Sequence, residues 1–407
     1  MHMIADKKRG NAIMMPLNKI LVIDASRILA GPYCGQFFAD HGAEVIKIEP
    51  PEGDINRAWP VVKDGASANY HSVNRGKKNL TLNLRTPEAQ EILHALIRKA
   101  DVLIHNYLPG TAAKLGMDQA TLDGLNDNLI QVVIGGYGAK GPLADKPGFD
   151  VMLTAFSGIM SLTGEADRPP VRPGISAIDM SSGMLAFGAA MTALYARATG
   201  MAKGQRVDLS LLETAVSLLG YHGLNYLMAG VIGKRDGANF SGLVPYGRYR
   251  AKDGDLMIAT PSPATWQRLC ETLNMQWMAN DPRFVTNELR VQNETAFRVA
   301  FEQILSAHTV RELADILDRA GITNGPVQTV DQALNHPQTL ANEMVVETQS
   351  SDGTKRKLLG LPFKMSATPG QIRAAAPELG EHTAEILERH LGLDAARIAQ
   401  LRAMGAV

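Results

Sequence analysis

Cysteine is nearly absent from the chain, whose 407 residues include only Cys34 and Cys270. Two cysteines cannot build a disulfide framework, and neither lies in a metal-binding pattern. The ten histidines are scattered, and none form a pair with the spacing of a zinc site. The sequence therefore predicts a protein without disulfides or a structural metal, suited to the reducing cytoplasm.

Net charge is lacking as well. Lys plus Arg and Asp plus Glu number 41 each, so no overall field attracts nucleic acid or an anionic membrane. The chain has no run of about 20 apolar residues that would span a bilayer. Residues 1–16 contain only a broken apolar run, too short for a secretion signal. We therefore expect neither nucleic-acid nor membrane partners, and any polyanionic ligand must meet a local basic cluster.

Several nucleotide-binding and catalytic motifs are missing. The chain has no Walker A sequence and no nucleophile-elbow serine. The segment Gly136-Tyr-Gly138-Ala-Lys-Gly141 matches the dinucleotide-binding fingerprint literally, but Pro142 follows it where a helix should begin. The first strand-to-helix turn, 24–31, lacks the glycine spacing altogether. A nicotinamide cofactor is therefore not expected.

Strand and helix patterns alternate over the first 135 residues. Thr86, Pro87 and Glu88 have the residue types of an N-cap, a first helical position and an acidic first turn. Such alternation is typical of a parallel sheet covered on both faces, so the fold class is predicted to be α/β. The predicted strands are 19–24, 44–49, 80–84, 101–105 and 129–134, and the predicted helices are 30–41, 86–99 and a segment around 122–125.

A different pattern begins after residue 225. The glycine-rich segment 230–242 reads as a linker or loop, and 246–251 and 256–260 read as the two strands of a hairpin. Apolar residues at helical spacing follow, around Trp266 and around Phe297. These elements predict a second, smaller α+β domain.

Asp179 is the carboxylate that matters most for function. It separates an apolar segment, 175–178, from a run of small and apolar residues, 180–190, and the spacing predicts an amphipathic helix over 180–198. Aspartate is among the best N-cap residues, because its side chain accepts from free N–H groups of the first turn. The local pattern leaves two interpretations open: Asp179 is a helix cap or a nucleophile.

A basic cluster is the candidate polyanion site. It comprises Arg75-Gly-Lys-Lys78, with Arg85 at a helix start and Lys114 in the next helical segment. Phosphate groups are commonly bound by Arg or Lys together with backbone N–H donors. A solvated run of charges explains the same residues equally well.

The sequence around Asp179 resembles the family III CoA-transferases, which include formyl-CoA transferase, carnitine CoA-transferase and the α-methylacyl-CoA racemases. The resemblance covers nearly the whole chain and depends on the order and spacing of many short segments. They include Ala30-Gly-Pro32, Gly148-Phe-Asp150, Arg172-Pro-Gly-Ile-Ser-Ala-Ile-Asp179, Gly204-Gln-Arg-Val-Asp208 and His336-Pro-Gln338.

The resemblance implies a Rossmann-like large domain with a parallel sheet, a smaller α+β domain and an interlocked homodimer. The large domain would comprise 1–225 and a returning segment, 330–407, with the small domain at 226–329. It implies that the substrates are an acyl-CoA, which is a coenzyme A thioester, and small carboxylates. It implies no tightly bound cofactor.

The resemblance also implies roles for individual residues. Asp179 would be the nucleophile that carries covalent aspartyl intermediates. Asp150 would support it, although a plain structural carboxylate is an equal alternative. The residues implied to contact coenzyme A are Leu29, Ala30, Leu82, Arg85, Asn106, Tyr107, Leu108, Lys114, Gly148 and Phe149, to which the basic cluster adds Arg75.

Some positions depart from the family pattern. Lys114 and Pro50 stand where formyl-CoA transferases have arginine, and 241–245 has far less glycine than their mobile loop. These differences weaken the case for formyl-CoA. Racemases of the family pair the aspartate with a histidine, and Phe149 stands at that position, so CoA transfer is favoured over racemisation. The third hypothesis for the function is a catalytically silent acyl-CoA-binding protein.

Two arginines upstream of the nucleophile bear on substrate choice. Arg168 and Arg172 would face a second carboxylate and favour succinate-like dicarboxylates, or they are simply surface residues. The sequence leaves both interpretations open.

Overall fold

The computed structural model describes residues 15–407, so residues 1–14, which carry most of the segment assessed for a secretion signal, lie outside the described residues. The strands are β1 (Leu21–Asp24), β2 (Glu44–Glu49), β3 (Val62–Lys63), β4 (Ala66–Ser67), β5 (Lys78–Thr81), β6 (Val102–His105), β7 (Ile130–Gly135), β8 (Gln205–Ser210), β9 (Tyr246–Arg250), β10 (Asp255–Ala259), β11 (Thr323–Pro326), β12 (Val345–Gln349) and β13 (Lys355–Leu359).

The helices of the described residues follow the same chain order. They are α1 (Ala30–Asp40), α2 (Ala68–Asn74), α3 (Pro87–Ile97), α4 (Pro109–Lys114), α5 (Gln119–Leu125), α6 (Asp150–Phe156), α7 (Ala177–Ala198), α8 (Leu211–Leu218), α9 (Gly220–Ala229), α10 (Pro263–Thr272), α11 (Gln276–Asn280), α12 (Asn287–Gln292), α13 (Glu294–Leu305), α14 (Val310–Arg319), α15 (Val330–Asn335), α16 (Pro337–Ala341), α17 (Thr383–Leu391) and α18 (Ala395–Ala403).

The chain divides into two compact units. The first comprises the described residues up to Ser157, together with Gly174–Gly220 and Pro337–Val407. The second comprises Gly158–Pro173 and Tyr221–His336. The division differs from the boundaries expected from the sequence chiefly at Gly158–Pro173, a short segment that precedes α7 in the chain but belongs to the second unit.

The first unit contains a six-stranded sheet in the order β5-β2-β1-β6-β7-β8, with every neighbouring pair parallel. Counted within this sheet alone, the strand order is third, second, first, fourth, fifth and sixth, as in Rossmann folds. The α/β class and the Rossmann-like large domain predicted from the sequence are confirmed.

Two details of the sheet differ from the prediction. The third sheet strand is Lys78–Thr81, a little earlier than 80–84, and the sixth, Gln205–Ser210, was not predicted as a strand. Gln205, Arg206 and Asp208 are exposed on this edge strand, so it lacks the apolar run by which buried parallel strands are found.

Helices cover the sheet on both faces. One core joins the strands to α3, α5, α17 and α18, with side chains such as Ile23, Leu93 and Leu387 almost fully buried. Elsewhere α1 packs closely on α7, because Gly183 leaves no side chain between them: a Cβ there would lie 2.7 Å from the carbonyl oxygen of Ala30. Because α17 and α18 contribute to the core, the C-terminal segment completes the first unit.

The second unit contains the predicted hairpin. Strands β9 and β10 pair antiparallel, and β11 extends them to a three-stranded sheet. Its core is aromatic, with Trp266, Phe284, Phe297 and Phe301 each at most 1% exposed.

Among the described helices, α7 is long and apolar enough to cross a membrane, and 39% of its most apolar window is buried inside the protein. Core helices of globular proteins pass the same test, and α7 packs on α1. The lack of a membrane partner stays a prediction.

Candidate active site

A cavity of about 1210 Å³ opens in the first unit at the carboxyl ends of the parallel strands. Its wall includes the segments that follow β1, β6 and β7, and the first turn of α7. Strands β1 and β6 are neighbours from which the chain order runs outward in opposite directions. Such a switch point is where open α/β sheets bind their ligands.

Asp179 lines this cavity from the first turn of α7. The helix begins at Ala177 with Ser176 at the N-cap position, so the interpretation of Asp179 as the N-cap was wrong. No hydrogen-bond donor among the described residues contacts its carboxylate. Burial, and secondarily the nearby carboxylate of Asp150, raises the pKa of Asp179 to about 7. Its oxygens are free to meet a ligand.

Asp150 takes the capping role instead. It is the first residue of α6 and is buried, and its Oδ2 accepts from the backbone N–H of Ile178 at 2.9 Å and of Asp179 at 3.2 Å. Thr154 Oγ1 lies 3.4 Å from the other oxygen, Oδ1. Asp150 is not part of the cavity wall, so it acts on Asp179 through the helix and through its charge.

Substitution of Asp150 separates these two effects. Asp150→Ala leaves two N–H groups of α7 without an acceptor, and we expect it to lower the free energy of unfolding by ~0.5–2 kcal/mol. Asp150→Asn keeps an acceptor oxygen but removes the negative charge, so it should lower the pKa of Asp179 and shift the acid limb of the pH–rate profile to lower pH. Urea unfolding and rate profiles of both variants test this; identical profiles for wild type and Asp150→Asn would contradict it.

The raised pKa of Asp179 also predicts a pH-dependent cost to stability. Between pH 3.8, the ordinary value, and about 7, the unfolded chain has lost the proton that the folded protein keeps. Raising the pH through this window therefore destabilises wild type relative to Asp179→Asn, and the difference is complete above pH 7. Denaturant unfolding of both proteins at pH 4 and pH 8 checks the sign. A difference that does not grow with pH would show that the carboxyl titrates normally.

Seven of the residues that the resemblance assigns to coenzyme A lie in the cavity wall. They are Leu29, Ala30, Asn106, Tyr107, Leu108, Gly148 and Phe149. They come from the segments after β1 and β6 and from the turn before α6, which the fold brings together.

The basic cluster does not line the cavity. Arg75 is buried, with Nη2 2.7 Å from Asp40 Oδ2 and Nε 3.0 Å from Asp40 Oδ1. Lys77 is fully buried and lies 2.8 Å from Asp24. These pairs hold the fold together, and Arg75 is removed from the predicted binding set.

Three other predicted contacts also lie outside the cavity wall. Leu82 belongs to the hydrophobic core and is 1% exposed. Arg85 and Lys114 are exposed on the surface. Spacing alone could not separate these positions from those that face the cavity.

The cavity has cations that the sequence did not single out. Arg27 and Lys140 line it and form no ion pair with any described residue, whereas Arg206 Nη2 lies 2.8 Å from Asp208. Arg27 was overlooked because the turn after β1 lacks a glycine motif. Its place directly after the first strand, beside the switch point, was the available signal.

The glycines that matched the dinucleotide fingerprint have a packing role. A Cβ on Gly136 would lie 2.7 Å from the backbone nitrogen of Gly148. This close approach holds the loop after β7 against the turn before α6, and both glycines line the cavity.

The first unit is thus an open α/β fold whose cavity at the switch point is lined by a carboxylate without a hydrogen-bond donor among the described residues. The profile of CoA-transferase family III matches residues 17–383, and the chain belongs to that family. It is an enzyme of the CoA-transferase class, whose members use CoA thioesters as substrates.

Known proteins resemble the chain over nearly its full length. An acyl-CoA transferase of Fusarium pseudograminearum is 36% identical over 96% of this chain and 88% of its own. A succinate–glutarate CoA-transferase of Agrobacterium fabrum is 37% identical over 91% of this chain and 95% of its own. The crystal structure of a CAIB/BAIF family protein from Brucella suis superposes with a TM-score of 0.85, at 34% identity, covering 92% of this chain and 99% of that one.

Proposed function

We propose that the protein transfers coenzyme A from an acyl-CoA to a free carboxylic acid through covalent intermediates on Asp179. The observation that carries the proposal is the carboxylate of Asp179, which faces the cavity without a hydrogen-bond donor and has a pKa raised to about 7 by burial and by Asp150. A carboxylate that is poorly solvated and unpaired is a stronger nucleophile than one in water.

The exchange proceeds in four acyl transfers. An oxygen of Asp179 attacks the donor thioester carbonyl, and the C–S bond breaks. The thiolate departs, and a mixed anhydride of Asp179 and the donor acid remains. The thiolate then attacks the aspartyl carbonyl of Asp179 and expels the donor acid, which leaves an aspartyl–CoA thioester. The acceptor carboxylate attacks this thioester to form a second anhydride, and the thiolate takes the acceptor acyl group and frees Asp179. No net proton is consumed, and the thioester energy is conserved at each step.

Coenzyme A is proposed to lie along the wall formed by the segments after β1, β6 and β7. Asn106, Tyr107 and Leu108 and the Leu29–Ala30 pair supply this wall, and exposed Lys140 supplies a cation for a phosphate. The relative named for succinate and glutarate supports short carboxylic acids as the exchanged substrates.

A panel of acyl-CoA donors and carboxylic acids, with new CoA esters read by mass spectrometry, tests this function. We expect a new ester only when donor, acceptor and enzyme are all present. Racemisation predicts the opposite pattern: deuterium uptake at the α-carbon of a 2-methylacyl-CoA in heavy water, with no acceptor needed. Phe149 in the cavity wall has no group that moves a proton, so no uptake is expected.

We propose further that the protein is an obligate homodimer, interlocked as in the family it resembles. In the first unit, large apolar side chains are exposed on three helices that pack on one another, α6, α7 and α8. They are Val151, Met152, Phe156, Met184, Leu185, Tyr195, Val216 and Leu218. Apolar surface on this scale usually marks an interface. Sedimentation that finds a folded, active monomer would refute the dimer.

A further inference from the structure

Arg27 is a cavity-lining cation with nothing to bind among the described residues. It lies in the loop between β1 and α1, its guanidinium forms no ion pair, and its buried Nε has no hydrogen-bond partner. Buried polar atoms are normally satisfied, so the unpaired Nε marks a guanidinium whose hydrogen bonds the protein alone does not complete, on a residue that lines the cavity. The ligand that suits a free guanidinium is an anion, best of all a planar carboxylate that takes two parallel hydrogen bonds.

The backbone that carries Arg27 is held in place on both sides. Asn106, which follows β6, accepts from the N–H of Arg27 at 2.9 Å and donates to its carbonyl oxygen at 2.8 Å. The next residue, Ile28, has a φ of 73°, in the left-handed region that β-branched residues avoid. Its N–H donates to Asp54 Oδ2 at 3.0 Å, and Asn56 Nδ2 donates to its carbonyl oxygen at 2.6 Å.

A buried ion pair supports Asp54, which accepts from the backbone of this loop. Lys47 Nζ lies 3.4 Å from Asp54 Oδ2, and both side chains are fully buried. Backbone strain of this kind costs roughly 1–3 kcal/mol and persists where surrounding structure enforces it, commonly at ligand sites. The loop is therefore preorganised, and its fixed shape sets the direction of the Arg27 side chain.

The end of this loop, at Ala30, packs on α7. Gly183 is one helical turn after Asp179 and on the same side of α7. The Cβ that Gly183 lacks would lie 2.7 Å from the carbonyl oxygen of Ala30, three residues after Arg27. The phosphates of coenzyme A are separated from its sulfur by the whole pantetheine arm, and Arg27 lines the same cavity as Asp179, where the acyl group reacts.

We propose that Arg27 selects dicarboxylic acids, by binding the remote carboxylate while the other one reacts at Asp179. The inference deepens and rests on the proposed CoA transfer. It replaces the earlier interpretation of Arg168 and Arg172, which are exposed and are not part of the cavity wall.

Matched acids test the proposal. Glutarate and valerate have the same chain length, and only glutarate carries a second carboxylate. We expect wild type to prefer glutarate in kcat/KM, and Arg27→Met to reduce the glutarate-to-valerate ratio by about 100-fold, the loss of a bidentate charged contact. Arg27→Lys, which keeps the charge without the fork, should lose part of the ratio. Arg172→Met is the matched control and should keep it.

The outcomes are separable. An unchanged ratio in Arg27→Met, or a ratio that collapses in Arg172→Met instead, overturns the inference. An increase in the KM for acyl-CoA with no change in the ratio would assign Arg27 to coenzyme A and equally overturns it. If no acid accepts CoA from wild type, the proposed function fails. Calorimetric titration with glutarate then tests the role of Arg27 by itself. The inference requires that wild type binds glutarate and that Arg27→Met binds it more weakly. It is wrong if the two proteins bind glutarate alike.

Discussion

Asp179→Asn should fold normally and lose CoA transfer by roughly 10⁴-fold or more, as nucleophile substitutions do in other enzymes that work through covalent intermediates. The amide oxygen does not form the anhydride, while the side chain keeps its size and α7 keeps its cap from Asp150. Initial rates with a competent donor and acceptor measure the loss, and calorimetry with coenzyme A shows whether the binding site survives.

Asp208 offers the matched control for this variant. It also lines the cavity as an aspartate, but its carboxylate is occupied by Arg206 at 2.8 Å. Asp208→Asn should retain transfer within about tenfold, since a partly exposed ion pair contributes little. Equal losses in the two variants would mean that the rate depends on cavity charge in general, and full activity in Asp179→Asn would show that Asp179 is not the nucleophile.

Arg75→Met should lower the free energy of unfolding by about 3–5 kcal/mol, because it leaves Asp40 buried without its partner. Burial already raises the pKa of Asp40 even with the guanidinium beside it, and the variant should raise this pKa further. The destabilisation should therefore grow as the pH rises above the ordinary range of aspartate and shrink in acid, where Asp40 is protonated. Urea unfolding at two pH values measures it.

A double variant separates the structural role of Arg75 from a role in binding. Arg75→Met with Asp40→Leu removes both charges, so it should recover most of the lost stability. Because Arg75 does not line the cavity, the KM for acyl-CoA should stay within about threefold of wild type in the rescued protein. A stable single variant with a much higher KM would return Arg75 to the coenzyme A site.

The fold was predictable where the periodicity was strong. Strands such as Val102–His105 are buried on both faces and read as short apolar runs, so the parallel sheet followed from their alternation with helices. Strand β8 escaped because it is a polar edge strand.

The site was predictable in part. The residues after β1 and β6 share the cavity with Asp179, as the resemblance implied. The sequence could not show that Asp150, 29 residues before Asp179, supplies the cap. Nor could it show that Arg75 forms an ion pair with Asp40 while Arg27 stays unpaired, because pairing between distant residues depends on the folded backbone.

The covalent intermediate on Asp179 is the central claim, and chemical trapping tests it most directly. Wild type is incubated with an acyl-CoA donor and no acceptor, then with hydroxylamine, which converts an activated aspartyl carbonyl into a hydroxamate. Peptide mass analysis should find the hydroxamate on Asp179, and only when acyl-CoA was present. A hydroxamate on another residue, or its absence from an enzyme that transfers CoA, would contradict the account.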